Sequence, residues 1–165
     1  MLEPSAEQFQ DLREAILLAA QNPGLASAID AIYAGLQIEV DARRPVCLVS
    51  GRCCRFEAYG HRLFVTTAEM GVFKRQSLLP AALPIVSDWN GDGCPYQVRG
   101  LCGAHAIRPF GCRIYFCDGS STEWQHQIYE RFHAELKKLH DVFQLPYFYI
   151  EWRIALRAAN LIETG

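Results

Sequence analysis

Cys94-Pro95-Tyr96-Gln97-Val98-Arg99-Gly100-Leu101-Cys102, followed closely by Arg108-Pro109-Phe110-Gly111-Cys112-Arg113, is the stretch on which the reading of this chain turns. It holds three of seven cysteines, the others being Cys47, Cys53, Cys54 and Cys117. None lies before residue 47 or after residue 117. A cysteine used only as a small apolar residue scatters along a chain; confinement to one stretch implies that these thiols converge. Thiolates hold soft metals, so a zinc or iron–sulfur centre is the leading expectation, with buried structural thiols as the bland alternative. Neither group has zinc-finger spacing: there is no Cys-x2-Cys pair and no His-x3-His pair. Proline after Cys94 fixes the chain and removes a competing backbone donor, and Gly51 lets the backbone turn tightly beside Cys53-Cys54.

Outside that stretch the chain reads as an ordinary globular protein. Its 165 residues suffice for one domain with a real core, and half of them are hydrophobic. No apolar run reaches the roughly 18 residues of a membrane span. The first residues are acidic and lack the order of a signal peptide. A cytoplasmic location follows as the expectation, where clustered thiols serve metals more often than disulfides.

Net charge is −2 but unevenly placed. Residues 1–42 hold seven acids and one base, residues 43–117 ten bases and four acids, and residues 118–165 five bases and seven acids. The basic segment is the cysteine segment, and cations stabilise an anionic thiolate centre. The slightly acidic whole argues against nucleic acid as a partner.

Periodicity gives a mainly α fold with minor β content, in one domain over 1–165. Residues 1–42 read as a helical hairpin. Ser5 and Gln8 form a capping box, Phe9, Leu12, Ile16 and Leu17 recur at helical spacing, and Asn22-Pro23-Gly24 breaks the helix. Leu25, Ile29, Ile32, Tyr33 and Leu36 line a second helix. Residues 43–118 read as an irregular metal-organised centre. Within it a short hairpin spans Phe56–Val65 about Gly60, a capping box at Thr66 and Glu69 starts a helix that Pro80 and Pro84 end, and a loop covers Ser87–Gly93. Residues 119–165 return to helix: Ser120 and Glu123 have capping-box spacing, Trp124, Ile128, Phe132, Leu136, Leu139 and Phe143 form a stripe that Pro146 stops, and a last helix starts near Glu151.

Two groups of motifs resemble a known family. Cys47-x2-Ser50-Gly51-x-Cys53-Cys54 looks like Cys-x2-Cys-Gly-x-Cys-Cys. Cys94-Pro95-Tyr96, Cys102 and Arg108-Pro109-x2-Cys112-Arg113 look like Cys-Pro-Phe and Cys-x-Ile-Tyr-x2-Arg-Pro-x2-Cys-Arg. This is similar to the YkgJ-like cysteine-cluster proteins, described as a zinc- or iron-chelating domain, and flagellin lysine N-methylases carry a related domain. The resemblance covers residues 47–117 and implies metal binding without implying a reaction. Ser50 departs from the family at its second cysteine, and His105 stands at its tyrosine position.

The candidate metal ligands are therefore Cys47, Cys53, Cys54, Cys94, Cys102, Cys112 and Cys117. The five in the best-matched motif parts rank above Cys47 and Cys117. Arg108 and Arg113 are candidates to contact a cluster or an anionic ligand, against a plainer role of tying loop carbonyls down. His105 reads as a hydrogen-bonded loop residue, with replacement of the ligand lost at Ser50 as the alternative, His61 as a surface residue in a turn, and Asp118 as a turn cap, with an oxygen ligand as the alternative. His126, His133 and His140 read as one solvated helix face. An iron–sulfur cluster, of the 4Fe-4S type, is preferred over zinc. Three functional classes stay open: a metal-dependent redox or group-transfer enzyme with an open position at Ser50, a structural zinc module that acts through partner binding, and a metal carrier. The partner, small molecule or protein, is unknown.

Overall fold

The computed structural model describes residues 3–79, 83, 84 and 89–162. Ser87, Asp88 and Pro80, which figure in the sequence reading, lie outside them. The fold is mainly α, as its periodicity predicts. Helix α1 spans Ala6–Gln21 and opens with the expected Ser5/Gln8 capping box. Helix α2 spans Leu25–Arg43. The two are not an antiparallel hairpin: they meet at 88°. Each packs on α4 (Thr67–Ser77) instead of along the other. The closest approach is at Gly71 of α4, where a Cβ would stand 2.4 Å from the Ala19 Cβ of α1.

The hairpin expected at Phe56–Val65 does not form. Phe56–Tyr59 is the short helix α3, and Gly60 caps it at φ +64. Strand β1 (Phe64–Thr66) pairs antiparallel with a distant partner, β4 (Tyr149–Glu151), in the register Val65 opposite Ile150. Thr66 then caps α4 with the predicted Glu69 box. A second small ladder joins β2 (Gln97–Val98) to β3 (Leu101–Cys102), with Gln97 opposite Cys102. Helix α5 covers Phe110–Ile114, α6 covers Thr122–Val142 and α7 covers Trp152–Ala158.

The α6 start differs from expectation. Ser120 does not cap it. Asp118 accepts from the Ser120 backbone N–H (3.0 Å), the Ser120 hydroxyl (2.7 Å) and the Ser121 hydroxyl (2.8 Å), closing a 3-10 turn over Gly119–Ser121. Asp118 is thus the turn cap that its type suggests, and those hydrogen bonds pull its carboxyl down to about 2.

Side chains from all seven helices form two buried clusters. Leu12, Ile16, Phe56, Met70, Tyr96, Trp152 and Leu156 centre one; Leu25, Ile29, Phe110, Ile128, Phe132 and Leu136 centre the other. Each large apolar side chain buried in them contributes about 1.5–3 kcal/mol to holding the helices together. Among the described residues no single helix is long and apolar enough to cross a membrane; only the bent α1–α2 pair passes on length and composition. The inward residues of that pair are part of the core.

Candidate metal centre

Four chain segments deliver the central thiols. A 3-10 turn over Arg52–Cys54 carries Cys53 and Cys54. The loop ahead of β2 carries Cys94, β3 carries Cys102 and α5 carries Cys112. All seven cysteines are free thiols.

Close backbone approach brings the segments together. The Cys94 N–H donates to the Cys54 carbonyl at 2.8 Å. Gly93, at φ +62, permits this, because a Cβ there would stand 2.5 Å from that same oxygen. Gly51, at φ +67, does the same on the other side: its Cβ would meet the Gly100 carbonyl at 2.1 Å. Its own carbonyl accepts from Gln97 Nε2 at 3.0 Å. Glycine carries both positions because it takes positive φ without a steric penalty.

Helix α5 is seated by a buried carboxylate. Glu69 accepts from the Phe110 N–H at 2.8 Å, from the Thr66 N–H at 2.9 Å, from the Thr66 hydroxyl at 3.0 Å and from the Tyr33 hydroxyl at 3.2 Å. Burial raises its pKa, against the opposing pull of the hydrogen bonds it accepts. Burial, then Glu69, raise Tyr33 as well.

At the centre is Cys54, 3 % exposed. Its thiol lies beside those of Cys102, Cys53 and Cys94, whose influence holds its proton on and pushes its pKa up. The same contacts lower the partners: Cys53 to about 7, Cys102 to about 6, and Cys94 in the same direction. Backbone amides help, from Tyr96 to Cys94 and from Ala104 to Cys102. Cys112 is half-buried beside them; desolvation of its thiol, followed by the charges of Cys94, Cys102 and Cys53, raises its pKa. One S–H proton cannot serve three sulfurs at once, so the group holds more sulfur lone pairs than protein donors. The Trp152 indole N–H is directed to Cys94 and helps to lower it. It falls short of full hydrogen-bond geometry, since that nitrogen is buried without a partner.

The two arginines divide the roles considered for them. Arg113 ties the loop: its Nε donates to the Arg108 carbonyl at 2.8 Å, and its guanidinium lies 4.2 Å from the Tyr33 ring centre. Arg108 faces the thiols, and its charge lowers Cys53, Cys102 and Cys112. Its Nε is buried without a partner. His105 lies in a 3-10 turn against Arg108 and is not part of the thiol group.

Cys117 and Ser50 stand apart from the five, with the Ser50 hydroxyl 3.7 Å from the Cys117 sulfur. The serine that departs from the family motif therefore contacts Cys117, and not the Cys54 group. Cys47 is exposed.

Two histidine readings need correction. His61 is half-buried, stacked 4.8 Å from Tyr115 and edge-on to Phe56, with Nε2 3.3 Å from the Cys53 carbonyl. The three histidines of α6 do not share a solvated face. His126 is exposed, but His140 is 3 % exposed. Its Nε2 accepts from the Ala68 N–H at 3.2 Å and its Nδ1 donates to the Leu136 carbonyl. His133 stacks on Tyr129. The chain returning at Tyr147 covers this side of the helix.

Among the described residues, no group of three or more His, Cys, Asp or Glu side chains could hold a metal ion as it stands. The donor set itself suits a soft metal: sulfurs drawn toward thiolate, backbone amides on two of them, and a guanidinium beside them. Comparison of the chain with known protein families, with curated proteins and with solved structures finds no match.

Proposed function

We propose that this chain is a metal-binding cysteine-cluster protein of the YkgJ-like kind, with Cys53, Cys54, Cys94, Cys102 and Cys112 as its ligand set. What supports the reading is that the chain brings thiols from three places next to Cys54, one of them through the 2.8 Å bond from the Cys94 N–H to the Cys54 carbonyl. A thiophilic metal bound there would displace the Cys54 proton and bridge those sulfurs once the thiol side chains turn toward it. Five thiols exceed one tetrahedral site, so one of them is a reserve or outer contact. Cys112, whose pKa desolvation raises, is the candidate for that place.

Iron–sulfur is preferred over zinc. Arg108 beside the thiols and amide donors on Cys94 and Cys102 are the environment that an anionic cluster with charged sulfurs needs. When bound, such a centre supplies electron transfer or a Lewis-acidic iron; the protein's own residues hold it, shield it and balance its charge. A structural zinc module is the second reading. It is favoured by the exposed apolar run Val46, Leu48 and Val49, a surface suited to a protein partner.

The test is a thiol titration of reduced, metal-stripped protein against zinc and against ferrous iron with sulfide. Loading is expected to protect four or five thiols from a disulfide reagent and to leave Cys47 reactive. Equal reactivity of all thiols with and without metal would refute the proposal.

A further inference from the structure

Trp152 opens α7 and is the largest fully buried side chain among the described residues. Its place is fixed by its neighbours. Its backbone N–H donates to the Leu63 carbonyl at 2.9 Å. Phe73 meets the indole edge-on with centroids 4.9 Å apart, and Tyr96 lies across it at 6.2 Å. Packed in this way, the ring keeps its N–H directed at the Cys94 thiol. That N–H is sealed from solvent and completes no hydrogen bond within the protein. Such orphan donors are rare, and this one costs free energy that a phenylalanine in the same place would not.

The acceptor that the indole faces is a sulfur, and a sulfur accepts according to its charge. A thiol is a weak acceptor; a thiolate forms the stronger, charge-assisted kind of bond. Cys94 is the sulfur that the fold prepares for charge. It is buried, the Tyr96 backbone N–H also points to it, and its own N–H is tied to the Cys54 carbonyl at 2.8 Å. Outer hydrogen bonds of this kind orient metal ligands and tune the metal that they hold.

We infer that Trp152 is a positioning residue of the thiol centre, its indole N–H the hydrogen-bond donor to the Cys94 sulfur when that sulfur is a metal-bound thiolate. This rests on the metal-binding reading above. It adds a residue from outside the cysteine segment, and with it gives the last helix a part in holding the metal.

The test loads reduced, full-length protein with cadmium-113, a thiophilic metal with a nuclear spin, and follows the indole N–H signals of Trp89, Trp124 and Trp152 by NMR. Loading is expected to move the Trp152 indole proton downfield and to couple it to the cadmium nucleus, a coupling that passes only through a hydrogen bond to a sulfur on the metal. The Trp89 indole, which donates to the Asp92 carbonyl at 2.7 Å, and that of Trp124 should show none. Trp152→Phe, which also assigns the signal, is expected to bind cadmium about tenfold more weakly, as read by competition with a chelator. A ring that serves packing alone would give no coupling, and the parent protein decides this even if Trp152→Phe does not fold. Cadmium uptake that protects the thiols but leaves the Trp152 indole uncoupled overturns the inference and spares the metal-binding reading, as does a folded Trp152→Phe that binds as tightly as the parent. Protein that takes up no cadmium overturns both.

Discussion

Replacing Gly93 by alanine tests the backbone contact that joins two of the thiol-bearing segments. Two effects add. Alanine at the φ of +62 found there costs about 1 kcal/mol relative to glycine. The new Cβ would also stand 2.5 Å from the Cys54 carbonyl oxygen, where ordinary contacts begin at 3.4 Å. Relieving that overlap moves the oxygen by nearly 1 Å, which stretches its 2.8 Å bond from the Cys94 N–H past the limit of about 3.5 Å. Losing a bond between such buried groups costs about 1–3 kcal/mol more. The sum is about 2–4 kcal/mol, or a fall in Tm of about 6–12 °C for a chain of this size. Gly60→Ala is the control. Gly60 has nearly the same φ, +64, and nothing lies within 4 Å of its would-be Cβ. It should cost only the backbone term of about 1 kcal/mol. Urea unfolding measures both, and hydrogen exchange of the Cys94 amide reports the bond itself. Equal destabilisation by the two substitutions, or a Cys94 amide that exchanges as slowly in Gly93→Ala as in the parent, would refute the reasoning.

Other outcomes follow from the same structure. Glu69→Gln puts an NH2 group among four donors and should destabilise by about 2–4 kcal/mol in urea unfolding. Because the folded pKa of Glu69 is raised, the native state holds its proton where the unfolded chain has lost it. Stability from this group therefore falls as pH rises above about 4.5, and the advantage of the parent over Glu69→Gln should shrink over that window; an advantage that grows would contradict the sign. Gly71→Ala should destabilise by about 1–3 kcal/mol despite better helix propensity, since its Cβ would strike Ala19 in α1; a Tm at or above that of the parent would show that the α1–α4 contact can give. Cys54→Ala should abolish metal binding while Cys47→Ala and Cys117→Ala retain it, as read by elemental analysis of purified variants; the reverse order would displace the assigned centre.

The sequence was most legible where structure is local. Ser5/Gln8 and Thr66/Glu69 both form the capping boxes that their spacing predicts, because each is complete within four residues. Ser120/Glu123 has the same spacing and fails, since Asp118 lies two residues upstream and takes the Ser120 N–H and hydroxyl first. Long-range pairing was not legible. Phe64–Thr66 finds its strand partner at Tyr149–Glu151, which no local pattern announces, and this removes the hairpin expected about Gly60. His140 was misread for a related reason. A seven-residue repeat says which residues share a face, but not that Ala68 of α4 would meet that face and need an acceptor. At the thiols, confinement to residues 47–117 predicts that their segments meet, and the Cys94 N–H bond to the Cys54 carbonyl joins two of them. The motif match ranks Cys53, Cys54, Cys94, Cys102 and Cys112 first, but the placing of Ser50 against Cys117 came only from the fold. A cavity beside Cys53 and Cys112 left no motif, because its walls come from five separate places in the chain.

The central claim, that the thiols around Cys54 hold a metal, is tested most directly by the colour and elemental content of protein purified without oxygen. The account predicts brown protein with broad absorption near about 400 nm, containing iron and acid-labile sulfide, and loss of all three in Cys54→Ala. Stoichiometric zinc without iron would move the centre to the structural reading, and protein that carries no metal and takes up none when reduced would contradict the account.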